Sequence, residues 1–151
     1  MKQSKQGFLS LFKKNSLNSF YIIFLGAVSS YSLPPYNYFI INFITFSLFF
    51  IFLFKQKKGS IGGINSFKYG WYFGFGYFLF SLYWTAISLT FDQSFKFLIP
   101  VAIFLLPAFL AIFYGLITYL FSIFCSKNVS TSFFIYSILF GLIEFIRGSI
   151  L

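Results

Sequence analysis

The stretch Lys68-Tyr-Gly-Trp-Tyr-Phe-Gly-Phe-Gly-Tyr-Phe-Leu-Phe-Ser-Leu-Tyr-Trp-Thr-Ala-Ile-Ser-Leu-Thr-Phe-Asp92 decides the fold. Between its two terminal charges lie 23 uncharged residues. As a helix they would be roughly 34 Å long, enough to cross a hydrocarbon core of about 30 Å. The stretch therefore reads as a membrane span. Gly70 and Gly74 share one helix face, with Gly76 close by, and small residues four apart let a second helix approach closely in lipid. Tyr83 and Trp84 follow two turns later, aromatic groups with polar tips that suit a ligand or an interface. The plainer reading of both features is ordinary membrane-helix packing and an interfacial aromatic belt.

The rest of the composition agrees. Hydrophobic residues make up 59% of the chain and charged residues 9%, far below the roughly 25% charged of soluble domains. The net charge of +9 does not point to nucleic acid, because the basic residues sit in short clusters between apolar runs and not on one folded face. Heavy use of Phe, Ile, Lys, Asn and Tyr fits an AT-rich coding sequence, so part of the Phe content is read as drift. One Cys, two acids and no His leave no metal cluster, no Ser-His-Asp or Cys-His set and no disulfide within one chain. No cofactor or metal is expected.

Working outward, a basic lead-in (1–16) precedes an apolar run at 17–33, stopped by Pro34-Pro35. A cleaved signal peptide is the rival reading of this run, since Ala27-Val28-Ser29 has the small residues of a cleavage site. More spans follow at once, so a retained helix is preferred. A second run at 36–54 is joined to the first by a tight turn, giving a helical hairpin that ends in Lys55, Lys57 and Lys58. Gly59 to Gly63 reads as a flexible loop. After the span at 69–91 comes a run at 97–126, with Pro100 and Pro107 predicting a kink or an interfacial first turn. A last run begins near Ser132 and continues to Leu151.

Charge sets the expected orientation. With the amino terminus in the cytoplasm, Lys2, Lys5, Lys13, Lys14, Lys55, Lys57, Lys58, Lys68 and Lys127 fall inside, and Lys96, Arg147 and both acids fall outside. That distribution obeys the positive-inside rule, and the reverse violates it. The expectation is an all-α integral membrane protein of about five transmembrane helices, amino terminus cytoplasmic, with the last helix incomplete.

Few residues carry chemistry. Glu144 and Arg147 stand three apart inside an apolar run, and each alone would cost about 2.5 to 3.5 kcal/mol at a helix centre. Their spacing allows pairing. They read either as a self-neutralised pair near the outer surface or as a polar anchor facing a bundle interior or a lipid headgroup. Arg147 is the sole Arg beside ten Lys, and a planar guanidinium binds carboxylate or phosphate as Lys does not. Cys125 reads as a small hydrophobe with no nearby group to activate it. Asp92 reads as a loop residue capping a helix end.

Three stretches in order resemble apolipoprotein N-acyltransferases: Leu25-Gly26-Ala27 with Pro35-Tyr36-Asn37, then Gly70-x-x-x-Gly74-Phe75-Gly76-Tyr77 with Tyr83-Trp84, then Glu144-Phe145-Ile146-Arg147-Gly148. Phe39-Ile40 stands where that family often has Trp-Pro, and Leu79 and Phe80 are bulkier than its usual residues. The resemblance covers this whole chain but only the front of the family protein. It implies a multi-pass enzyme of the bacterial inner membrane, whose substrates are a phospholipid acyl donor and a lipidated apolipoprotein. The acyl chain goes to the amino group of the apolipoprotein's amino-terminal Cys. The family's chemistry belongs to a nitrilase-like domain outside the membrane, with a Glu-Lys-Cys set, and no such domain lies in residues 1–151. Cys125, on the inner side, does not replace that nucleophile. The chain is expected to be a truncated, inactive membrane part, with Glu144, Arg147, Tyr83 and Trp84 lining a lipid cavity and Gly70, Gly74 and Gly76 packing helices. The competing expectation is a complete small membrane protein that binds lipid or a partner without catalysis.

Overall fold

Apolar runs punctuated by Pro, Gly and Lys fold as separate helices. The computed structural model describes residues 17–34, 36–58, 62–83 and 100–150. Residues 17–29 form α1, which tightens into a 3-10 turn at Ser30–Ser32. It is followed by α2 (Phe39–Lys58), α3 (Gly63–Ser81), α4 (Leu106–Phe124) and α5 (Val129–Ile150). No strand occurs among the described residues. Three helical stretches, Phe39–Lys57, Ile103–Phe124 and Val129–Ser149, are long and apolar enough to cross a membrane. The outward face of α5 is apolar: Phe134, Ile138, Leu142 and Phe145 are all exposed. Such a face is stable where the surrounding solvent is hydrocarbon, and it marks an all-α membrane protein.

Turn chemistry fixes the first hairpin. Asn37 takes φ 56°, a left-handed conformation that Asn tolerates better than most residues. The N–H groups of Tyr36 and Asn37 both donate to the Leu33 carbonyl at 3.2 Å. Ser29, fully buried near the end of α1, donates to Asn42 Oδ1 at 2.9 Å and lies 2.6 Å from Thr45 Oγ1. This polar contact, buried on its Thr45 side, ties α1 to α2.

The start of α3 differs from the expected span. The helix begins at Gly63, six residues before Tyr69, because extended Gly62 (ψ 157°) ends the loop and its carbonyl accepts the Asn65 and Ser66 N–H groups. Nothing between Ile64 and Phe67 breaks a helix, and Lys68 is an exposed residue of its second turn. A charge limits how far a segment enters lipid, but it does not end a helix. The expected stretch from 84 to 91 lies outside the described residues, as do Asp92 and Lys96.

Packing centres on α3. Toward α4 it presents Ser66, Gly70 and Gly74, met by Ala111, Tyr114, Gly115 and Thr118, and this is the most extensive helix contact. A side chain at Gly70 would overlap Thr118 Oγ1 and the Tyr114 carbonyl. Thr118 Oγ1 donates across the contact to the Ser66 carbonyl at 2.8 Å, a buried bond contributing about 1 kcal/mol. Gly76 lies on a different face and meets the Ile23 backbone of α1, while Gly26 of α1 meets the Phe73 backbone. The three glycines therefore serve two interfaces.

Aromatic rings fill the space between helices. Phe49 stacks on Phe73 with centroids 4.2 Å apart, and Phe46 meets Phe140 edge-on at 5.0 Å. Before α4, Val101–Leu105 opens into a π-helical turn. Pro107 has no N–H to give the Ile103 carbonyl and its ring crowds that position, so the helix widens just ahead of it.

Candidate functional site

The sequence of α5 puts Glu144 and Arg147 one turn apart, and the structure joins them. Arg147 Nη2 lies 2.7 Å from Glu144 Oε2, with the Arg and Glu side chains 27% and 34% exposed. The pair is thus shielded but not sealed. Glu144 Oε1, the other carboxylate oxygen, accepts the hydroxyl of Tyr114 from α4 at 2.8 Å. The guanidinium carbon of Arg147 stands 5.1 Å from the ring centroid of Phe78 on α3, a cation–π distance. Phe78 and Tyr114 meet edge-on at 5.3 Å. Three helices therefore close a ring of contacts around one charge pair.

Local packing explains why these groups meet. The α3–α4 contact runs through small residues, and a Cβ on Gly74 would stand only 2.8 Å from Tyr114 Cβ. Close approach of the two backbones brings the Tyr114 ring between Phe73 (6.0 Å) and Phe140 (5.3 Å). From there its hydroxyl reaches α5. Tyr114 is absent from the sequence-based site because a tyrosine in an apolar run has no polar neighbour to mark it. The available signal was the spacing Ala111, Gly115, Thr118, Ser122, a small-residue face complementary to Gly70 and Gly74.

Of the other residues singled out, Tyr83 stands exposed just past the end of α3, outside this contact set. Trp84 lies outside the described residues. Gly70 and Gly74 do reach the site, by seating Tyr114. Cys125 is beyond the far end of α4, with Sγ 3.5 Å from Ser132 Oγ. Eleven residues of helix, roughly 16 Å, separate it from Tyr114. An open groove of about 620 Å³ lies along Trp71, Leu105, Ala108, Phe109 and Ile112, and the Trp71 indole N–H is satisfied by the Ala108 carbonyl at 3.1 Å. It is apolar and separate from the charge pair's contacts.

Chemically, the arrangement is a charge pair held between helices. Among the described residues no three His, Cys, Asp or Glu side chains gather, and the one hydroxyl in contact with the charge pair is that of Tyr114. A guanidinium held at one edge by a carboxylate retains further N–H donors for an anionic oxygen.

Comparison with known proteins gives this site a context. A family model described as the apolipoprotein N-acyltransferase N-terminal domain matches residues 25–151. The chain is 36% identical over 132 residues to apolipoprotein N-acyltransferase of Rhizobium rhizogenes, covering 83% of this chain and 25% of that protein. The Rhizobium etli protein of the same name is 38% identical over 133 residues (83% and 24%). That of Agrobacterium fabrum is 39% identical over 97 residues (60% and 18%). The chain thus spans about a quarter of the length of the first of these relatives. No solved structure matches at a significant level. With the match running from the first hairpin through the Glu144–Arg147 helix, the chain belongs to the apolipoprotein N-acyltransferase family, as its N-terminal domain.

Proposed function

We propose that this chain is the membrane part of an acyltransferase of the bacterial inner membrane, in lipoprotein biosynthesis, that moves an acyl chain from phospholipid to the amino-terminal Cys of a lipidated apolipoprotein. Residues 1–151 alone do not catalyse this transfer. The chemistry belongs to a nitrilase-like domain outside them, and they serve as the scaffold that presents the acyl donor. The spans run at about 17–33, 36–54, 69–91, 97–126 and 132–151, with the amino terminus in the cytoplasm. Arg147 takes the phosphate of the lipid headgroup at the outer mouth of the bundle, and Tyr83 and Trp84 line the same mouth.

The observation that carries this reading is the braced charge pair: Glu144 and Arg147 sit 2.7 Å apart on a helix whose outer face is apolar. Ionisable groups in spanning helices are costly and tend to mark substrate paths. Arg is suited to a phosphate because its planar fork can donate two parallel hydrogen bonds.

Orientation is open to direct test. Gly148 is exposed, and a Cβ added there meets nothing within 4 Å, so Gly148→Cys in a Cys125→Ser background is expected to fold normally. A membrane-impermeant maleimide is expected to label it from the periplasmic side of spheroplasts. Labelling only in inverted vesicles contradicts the proposed placement.

A further inference from the structure

We infer that Tyr114 is the positioning residue of the Glu144–Arg147 pair, holding the carboxylate in one orientation and through it the guanidinium. For its consequence on lipid capture, though not for its geometry, this rests on the lipid-site reading above. The two carboxylate oxygens are divided between two helices: Oε1 accepts from Tyr114 on α4 and Oε2 from Arg147 on α5. A rotation of the carboxylate breaks at least one of these bonds.

Tyr114 is itself held. It is 3% exposed, and its ring contacts Phe73, Tyr77, Phe78 and Phe140 at centroid distances of 5.3 to 6.0 Å. Gly74 leaves the room it occupies. The hydroxyl therefore has a direction set by a packed ring and not by a flexible side chain. Phe78 touches both Tyr114 and Arg147, so the same ring of contacts returns to α3. With one edge on Glu144 and one face near Phe78, the guanidinium offers its remaining donors in a fixed geometry. Fixing donors before a ligand arrives lowers the ordering cost of binding. Removing only the Tyr114 hydroxyl keeps the packing, releases the carboxylate and lets the guanidinium turn with it.

Glu144 is the sole Glu of the chain, so carbon-13 labelling of glutamate carboxyls gives a single-site infrared band in the reconstituted protein. Tyr114→Phe is expected to shift that carboxylate band. Tyr136→Phe, which removes another buried hydroxyl of the same aromatic core, one placed 3.4 Å from the Phe46 carbonyl, is expected to leave it in place. Capture of a photoreactive-acyl phosphatidylglycerol from phosphatidylcholine nanodiscs is expected to fall about tenfold in Tyr114→Phe, the weight of one hydrogen bond to a charged group. In a Glu144→Ala background the same change is expected to add no further loss. An unshifted band in Tyr114→Phe, or a similar shift in Tyr136→Phe, overturns the positioning role. A shifted band with capture unchanged in both Tyr114→Phe and Arg147→Gln supports that role and overturns the lipid reading.

Discussion

Gly76→Leu is expected to destabilise the protein by about 3 kcal/mol or more, the upper end of overpacking costs. A Cβ there overlaps the Ile23 carbonyl oxygen, and stands 3.0 Å from its carbon and 3.2 Å from its Cα. These are backbone atoms, so no rotamer change relieves the clash and α1 must move away from α3. Gly26 makes the reciprocal contact, with an added Cβ overlapping the Phe73 carbonyl oxygen and 3.0 Å from the Tyr77 nitrogen. In lipid two helices gain no hydrophobic energy by meeting, so close packing is what joins them. A layer of side chain between α1 and α3 removes that packing. Gly141→Ala is the control, because its added Cβ meets nothing within 4 Å and Ala favours the helix by roughly 0.5–1 kcal/mol. Thermal unfolding in detergent checks both. A Gly76→Leu midpoint equal to wild type would sink this view of the α1–α3 contact.

Glu144→Ala is the second large effect. It leaves Arg147, 27% exposed in its side chain, without its carboxylate, at a cost approaching the roughly 2.5–3.5 kcal/mol of an unpaired charge in a spanning helix. It also strips the Tyr114 hydroxyl of its acceptor in a ring cluster where Tyr114 is 3% exposed. A buried hydroxyl left unpaired costs about 1–3 kcal/mol more. The double change Glu144→Ala with Arg147→Ala is expected to be milder than Glu144→Ala alone, since no isolated charge remains. A double-mutant cycle on unfolding measures this coupling directly. Strict additivity of the two changes would show that the pair does not act as a unit.

Much of the architecture was legible because lipid imposes simple rules. Uncharged runs must be helical to satisfy their backbones, and small residues four apart mark a close contact. Gly70 and Gly74 accordingly meet α4. The same rules do not say where α3 starts, since Lys68 bounds a lipid-embedded segment while the helix extends back to Gly63. Gly76, two residues further along the helix, turns to a different face, toward α1.

The candidate site was legible at its charges and not at its supports. Glu144 and Arg147 stand out in an apolar run, and their spacing announces the pair. Tyr114 and Phe78 are aromatic residues among many, and only the crossing of three helices selects them. Likewise, rings such as Phe134 and Phe145 are exposed on an apolar outer face, whereas Phe49, Phe73 and Phe121 are fully buried among other rings. A single sequence cannot separate these two populations of Phe, because both obey the same hydropathy.

Lipid capture by the purified chain decides whether the Glu144–Arg147 site takes a phospholipid, as proposed. Photoreactive-acyl phosphatidylglycerol in phosphatidylcholine nanodiscs is crosslinked to wild type and to Arg147→Gln, and the labelled peptides are identified by mass spectrometry. Crosslinks are expected within α4 and α5 that compete with unlabelled phosphatidylglycerol and fall at least tenfold in Arg147→Gln. Equal, uncompeted labelling of both proteins along every lipid-facing surface would contradict that proposal.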